Sequence, residues 1–155
     1  PMFPRKNAPR GGESLSRSLK GFMWATDIGF IVYWLVTASH LLPAEYLYQD
    51  YENELLVAWN WSFVPLDLAI SATGLWSLSL YRRRNPAWPA LAALSLALTF
   101  CSGLQAIAFW AIRGDFDPLW WGPNLFLLIY PLFFLPGLIR VQREGIRTSE
   151  RGPAQ

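Results

Sequence analysis

The sequence predicts an all-α integral membrane protein whose four helices form an up-down-up-down bundle, and three observations favour this fold class. Only 15% of the 155 residues are charged and 53% are hydrophobic, whereas a soluble domain carries about 25% charged residues. The charged residues gather at the two ends and in short loops, and they leave four long apolar runs between them. Short connections between helices also require that neighbouring helices run antiparallel.

Composition excludes several other classes of protein. Long uncharged runs rule out a disordered chain, and with a net charge of +2 the clustered basic residues do not make a nucleic-acid-binding domain. Cys101 is the single cysteine and His40 the single histidine, so neither an intramolecular disulfide nor a Cys/His metal site is expected. We therefore expect no cofactor, no metal and no nucleic acid partner.

Each apolar run is long enough to cross a bilayer, which takes roughly 20 residues with a range of about 17–25. The predicted spans are residues 21–42, 56–80, 87–112 and 118–139. None has the alternating pattern of a barrel strand. They form a membrane domain, residues 20–140, between basic tails at residues 1–19 and 141–155.

The charges of the connections predict the orientation. Pro43 opens an acidic loop, residues 43–55, whereas residues 81–86 form a short basic turn and residues 113–117 a second short turn. Of the 13 basic residues, 12 lie in the tails and the basic turn, and only Arg113 lies on the opposite side, together with six acids. Cytoplasmic loops of membrane proteins carry an excess of Lys and Arg. Both termini are therefore expected in the cytoplasm, and the protein is expected to lie in the bacterial inner membrane.

Two acids remain inside the predicted spans. Asp67 lies near the middle of the second span, and Asp27 lies in the cytoplasmic half of the first. Inserting an Asp at the centre of a membrane helix costs about 2.5–3.5 kcal/mol on insertion scales. Helix packing alone is therefore a poor explanation for an acid at this depth. Asp67 is expected to bind a ligand, carry a proton or take part in catalysis.

Each predicted helix also places one uncharged polar side chain in the outer half of the membrane. These are His40, Asn60, Gln105 and Asn124. Asn60 and Asp67 share a helix face, being seven residues apart, which favours a polar-floored cavity between the helices. The alternative is that the three amides hydrogen-bond across helices as packing contacts and that His40 is solvated.

Aromatic residues are numerous enough to wall such a cavity. The candidates are Tyr33, Trp34, Trp59, Trp61, Trp110, Trp120, Trp121 and Tyr130. Those near the outer end of the helices could equally form the aromatic belt that membrane proteins place at the interface.

The stretches TDIGFIVYW, LLPAEYLYQDY and AWNWSFVPLDLAISATG resemble the small YvaD-like bacterial membrane proteins, a family of unknown function. More distantly, the pattern AWxxSFxxxDL, which ends on Asp67 and Leu68, is similar to the second helix of the sigma-two receptor. That receptor and emopamil-binding protein, a sterol isomerase, belong to the EXPERA superfamily. The resemblance implies an EXPERA-like bundle of four helices around a pocket for a lipid-like ligand. The chain lacks the His and Glu that the isomerase carries one turn apart, so sterol isomerisation is not implied.

Three functions remain open. The first is a pocket for a hydrophobic lipid- or sterol-like ligand, amine-bearing ligands included, with membrane lipids and a second copy of the chain as further partners. Asp67 would anchor this ligand; the residues expected to orient or line it are Asn60, Gln105, Asn124, Trp34, Trp59, Trp61, Tyr130 and His40. The second is an isomerase in which Asp67 protonates a double bond with help from Asp27 or His40. The third is a non-catalytic accessory subunit, which predicts no enclosed cavity and a fully paired set of polar groups.

Overall fold

The computed structural model describes residues 15–47 and 50–150, and within these ranges all regular secondary structure is helical. Five α-helices and one short 3-10 helix follow each other along it. They are α1 (Arg17–Ser39), the 3-10 helix (Ala44–Tyr46), α2 (Glu54–Trp61), α3 (Val64–Arg82), α4 (Trp88–Arg113) and α5 (Pro118–Glu150). The outer parts of the two predicted basic tails, with Arg5, Lys6, Arg10 and Arg151, lie outside the described residues.

Four helical segments are long and apolar enough to cross a membrane. They are Arg17–Ser39, Glu54–Arg82, Trp88–Arg113 and Pro118–Gly145. The predicted all-α chain with four such segments is therefore confirmed.

The first helix begins and ends a few residues earlier than the predicted span at residues 21–42. The Ser16 hydroxyl oxygen accepts a hydrogen bond from the backbone N–H of Leu19 at 3.1 Å, which satisfies one of the free donors of the first turn. At the other end, His40 adopts a left-handed conformation with φ of 52°. A left-handed residue is a common way to close a helix, so α1 ends at Ser39.

The second span is broken into α2 and α3, although the sequence predicts one helix over residues 56–80. The break falls at Ser62 and Phe63, just before Pro65. Proline lacks an N–H and its ring collides with the carbonyl four residues earlier, here that of Trp61. The Ser62 hydroxyl donates to the Trp59 carbonyl at 2.6 Å. This turn separates α2, which carries Asn60, from α3, which carries Asp67.

The last helix continues well past the predicted end of the fourth span at residue 139. It extends from Pro118 to Glu150 and contains Pro123, Pro131 and Pro136. The basic residues Arg140, Arg143 and Arg147, which follow the apolar segment, therefore continue the same helix.

The closely packed helix pairs are α1 with α3, α3 with α4, and α4 with α5. Trp34, late in α1, contacts Asp67, early in α3, whereas Asp27, earlier in α1, accepts from Ser71 through its backbone carbonyl at 2.9 Å. The closest approach of α4 to α5 is at Gly103, where a Cβ would lie 2.5 Å from the Leu128 nitrogen.

The main cluster of buried apolar residues, the apolar core, lies toward one end of the bundle. Its buried members come from α1, α3, α4, α5 and the residue that precedes α1: Leu15, Leu19, Met23, Leu78, Ala92, Leu96, Tyr130 and Leu138. All of them lie toward the start of α1 and the later part of α5, which is the end that carries the basic residues. The other end of the bundle is free to enclose a cavity.

Candidate functional site

A cavity of about 370 Å³ lies between the helices at the end of the bundle away from the apolar core. Its volume is at the lower end of the range of small-molecule sites, about 300–1,000 Å³. All five helices contribute to the walls, which are mainly apolar and aromatic. The aromatic wall residues are Phe30, Tyr33, Trp34, Trp59, Phe63, Trp110, Trp120 and Phe126, and the polar ones include Thr26, Asn60, Asp67, Ser102 and Asn124.

Asp67 is the acidic residue of this cavity, and its carboxyl group is held by hydrogen bonds from two other helices. The indole Nε1–H of Trp34 donates to Oδ2 at 2.9 Å, and the hydroxyl of Ser102 donates to Oδ1 at 3.1 Å. The residue is 3% exposed. Because an ionised carboxyl has about four lone-pair positions, each oxygen retains capacity for one further donor.

Asn60 supplies a second polar group to the same cavity. Its Nδ2 is buried and has no hydrogen-bond partner within the described part of the chain. A buried donor without a partner costs roughly 1–3 kcal/mol, so the amide is left available to an acceptor from outside the protein. Asn124, which also lines the cavity, differs in that its Nδ2 already donates to the Trp120 carbonyl at 2.8 Å.

The aromatic wall is built from interlocked rings. Trp59 stacks on Phe109 with centroids 3.9 Å apart and meets Trp110 edge-on. Trp34 is fixed by an edge-on contact with Tyr33 at 4.9 Å and by Trp61 at 5.5 Å. These contacts orient the indole of Trp34 toward Asp67.

The structure brings five of the expected site residues to the cavity. They are Trp34, Trp59, Asn60, Asp67 and Asn124. Trp61 packs behind Trp34 rather than lining the cavity.

Three other expected site residues lie elsewhere. Gln105 is exposed on α4, and His40 is exposed where α1 ends. Tyr130 is 5% exposed and belongs to the apolar core, where its hydroxyl accepts from Thr26 at 3.2 Å.

Asp27 also lies apart from the cavity wall. It is 1% exposed, its carboxyl lies against Gly74 of α3, and Oδ2 has no partner within the described residues. Within those residues no three His, Cys, Asp or Glu side chains lie close enough to hold a metal ion.

Ser102 is the contact that the sequence reasoning missed. A stripe on α4 carried the signal: Ser95, Thr99, Ser102 and Ala106 recur at spacings of 4, 3 and 4, and all four are buried. Small and hydroxyl side chains at that spacing form one helix face. This face, rather than the one with Cys101 and Gln105, points into the bundle.

Comparison with known proteins identifies a family whose function is unknown. Residues 19–145 match a family of unknown function, DUF5360. The chain is 48% identical over 134 residues to "Uncharacterized protein YvaD" of Bacillus subtilis (strain 168), and this match covers 86% of the chain and 98% of that protein. No solved structure matches the chain.

Proposed function

The chain belongs to the DUF5360 family, and from that premise we propose that it is a membrane protein whose intramembrane cavity binds one lipid- or sterol-like molecule. The ligand carries a hydrogen-bond donor, such as an amine, in its polar head. Asp67 accepts this donor and Asn60 donates to an acceptor beside it. The aromatic wall packs against the apolar body of the ligand.

One observation carries the proposal: two polar groups with unused hydrogen-bonding capacity line a mainly apolar and aromatic cavity. Asp67 is held in place by Trp34 and Ser102, and the Asn60 amide has a buried nitrogen with no partner in the described chain. Buried polar groups in proteins are nearly always paired. A ligand head that both donates and accepts would pair them.

The chemistry of the wall favours a cationic amine in that head. A carboxylate attracts it by charge, and an indole face stabilises a cation by about 0.5–2 kcal/mol depending on desolvation. The carboxylate and an indole lie side by side in this cavity. The Nε1–H of Trp34 donates to Asp67, and both residues line the cavity.

The two other functions open from the sequence receive less support. Two-residue acid–base chemistry needs a second group within direct or one-water reach, but Asp27 and His40 are not among the residues that line the cavity. An accessory subunit predicts no enclosed cavity and a fully paired polar set. The unpaired Asn60 amide does not fit the second expectation and favours ligand binding instead.

We also propose that the chain is an EXPERA-like up-down-up-down bundle in the bacterial cytoplasmic membrane, with both termini in the cytoplasm. Contacts of α1 with α3, such as Trp34 with Asp67 and Asp27 with Ser71, run in opposite directions along the two helices and support this topology. Basic residues at the ends of α3 and α5 support the orientation. The cavity then occupies the outer half of the membrane.

A thermal-shift experiment tests the proposed function. The purified protein in a mild detergent is heated with hexadecyldimethylamine, a hydrophobic tertiary amine, and separately with hexadecanol, which has the same chain without the cation. We expect the amine to raise the apparent Tm more than the alcohol, and Asp67→Asn to abolish the difference.

Asp27→Asn is the matched control, because it makes the same substitution at a buried carboxyl group outside the cavity. The amine should stabilise this variant as it stabilises the wild type. Equal stabilisation of Asp67→Asn and wild type would refute Asp67 as the anchor, and no stabilisation of the wild type would refute the proposed function.

A further inference from the structure

The cavity has a mouth between α1 and α5, and its rim residues are exposed. Ala25 and Gly29 of α1 line the cavity and are also exposed, as are Leu119 and Pro123 of α5; Leu119 is 81% exposed. A residue that both lines a cavity and faces the outside of the bundle marks an opening. This opening is lateral, on the side where α1 faces α5.

The sequence of α1 explains why the opening exists. Phe22, Ala25 and Gly29 recur at spacings of 3 and 4 and so share one flank of the helix. Phe22 contacts the rings of Phe126 and Tyr130, both at 5.5 Å, and closes the gap between α1 and α5 at the end near the core. One and two turns later the same flank carries only a methyl group and a hydrogen, which cannot bridge that gap.

The empty space around Gly29 supports this explanation of the opening. A Cβ built at Gly29 would meet no neighbouring atom of the described chain within 4 Å. By contrast, a Cβ at Gly103, on the tightly packed α4–α5 interface, would lie 2.5 Å from the Leu128 nitrogen. Close packing therefore accounts for the glycine at position 103 and not for the one at 29.

The depth of the opening identifies what lies outside it. Gly29 is the thirteenth of the 23 residues of α1, so at a rise of 1.5 Å per residue it lies at the middle of a helix that spans the bilayer. The neighbouring surface of α1 is apolar and exposed, as Ile28 and Val32 indicate at 41% and 52%. At Gly29 the mouth therefore faces hydrocarbon, and Leu119 and Pro123, the second and sixth residues of α5, extend it toward the end of the bundle where α5 begins.

From these observations, and resting on the proposed function, we infer that the ligand is a resident of the bilayer that enters sideways between α1 and α5, past Ala25 and Gly29. Its head reaches Asp67 and Asn60, while a chain too long for the cavity remains between the two helices and extends into the lipid. This assigns the ligand to the amphiphiles already dissolved in the membrane.

Photolabelling in a bilayer tests the inference. The full-length protein is reconstituted in vesicles of phosphatidylethanolamine and phosphatidylglycerol with a hexadecyldimethylamine that carries a diazirine at mid-chain, and labelled residues are mapped by mass spectrometry. We expect Asp67-dependent labels at Ala25 and Gly29, the α1 rim of the mouth. We expect Gly29→Trp, which fills the mouth, to lower their yield about tenfold, the ratio that corresponds to roughly 1.4 kcal/mol.

Gly21→Trp is the matched control, since Gly21 is also an α1 glycine with no neighbouring atom of the described chain within 4 Å but does not line the cavity. It should leave the yield unchanged. Ala25→Trp blocks the same mouth one turn earlier and replaces Gly29→Trp if that variant does not fold.

The outcomes separate the two proposals. Asp67-dependent labelling that Gly29→Trp and Ala25→Trp do not reduce, or that falls only near the outer ends of the helices, would overturn the lateral entry and leave the binding site standing. Labelling that is the same in wild type and Asp67→Asn would overturn the proposed function itself.

Discussion

The carboxyl group of Asp27 lies directly against the α-carbon of Gly74, in the space that a side chain at position 74 would need. Asp27 is on α1 and Gly74 on α3, so this contact sets how closely the two helices approach. The hydroxyl of Ser71, three residues earlier on α3, donates to the Asp27 backbone carbonyl at 2.9 Å. Together the two contacts lock α1 onto α3 beside the cavity, about one and two turns beyond Asp67 along α3.

We predict that Gly74→Ala destabilises the protein, because its Cβ would overlap the Asp27 carboxyl. Overpacking of this kind costs about 1–3 kcal/mol, measured as a fall in apparent Tm in detergent. Gly137→Ala, in a helix position with no neighbouring described atom within 4 Å, serves as the control and should not lower it. In an Asp27→Ala background, Gly74→Ala should cost little, and an undiminished cost there would contradict the contact.

Gly103 gives a second prediction with a different signature. A Cβ there would lie 2.5 Å from the Leu128 nitrogen and 2.8 Å from the Asn124 carbonyl oxygen, both backbone atoms of α5. Because backbone cannot move aside as a side chain can, Gly103→Ala should lower the apparent Tm more than Gly74→Ala. Shortening Leu128 to Ala should not rescue it, and a full rescue would show that side chains rather than backbones set this interface.

Much of the architecture follows from the sequence, because hydrophobic length alone defines the spans. The interruption at Ser62 and Phe63 does not, since a proline such as Pro65 can kink, break or merely begin a helix according to its neighbours. The end of α1 at Ser39 depends on the left-handed His40, a residue without the usual glycine signal for that position.

The site is predictable to a similar degree. Asp67 and Asn60 line the cavity because their spacing of seven residues keeps them on nearly the same side despite the break between α2 and α3. Gln105 and Ser102 are three residues apart on α4, yet one is exposed and the other buried. Which of two polar stripes faces inward depends on the rotation of the helix, and that is set by packing at Gly103.

The indole of Trp34 is predicted to be required for ligand binding through its N–H rather than its size. Trp34→Phe keeps an aromatic ring but removes the donor to Asp67 Oδ2, which should cost about 1–3 kcal/mol of stability and reduce the thermal shift given by hexadecyldimethylamine. Trp61→Phe is the matched control, since Trp61 packs on Trp34 without lining the cavity. Equal losses of the amine response in the two variants would assign the effect to ring packing.

Asn60 and Asn124 provide a pair of amides that differ in one respect, and the difference predicts opposite effects on stability. Asn60 Nδ2 is buried without a partner in the described chain, whereas Asn124 Nδ2 donates to the Trp120 carbonyl. Replacing an unpaired buried donor with an apolar group of similar size is neutral or stabilising, but removing a paired one costs about 1 kcal/mol.

Asn60→Leu should therefore match or exceed the apparent Tm of the wild type without ligand and lose most of its response to hexadecyldimethylamine. Asn124→Leu should have a lower Tm without ligand, measured in the same detergent. A site kept for function commonly carries such a cost in stability. If Asn60→Leu were destabilised as much as Asn124→Leu, the Asn60 amide would have a partner in the folded protein, and the argument that it awaits a ligand would fail.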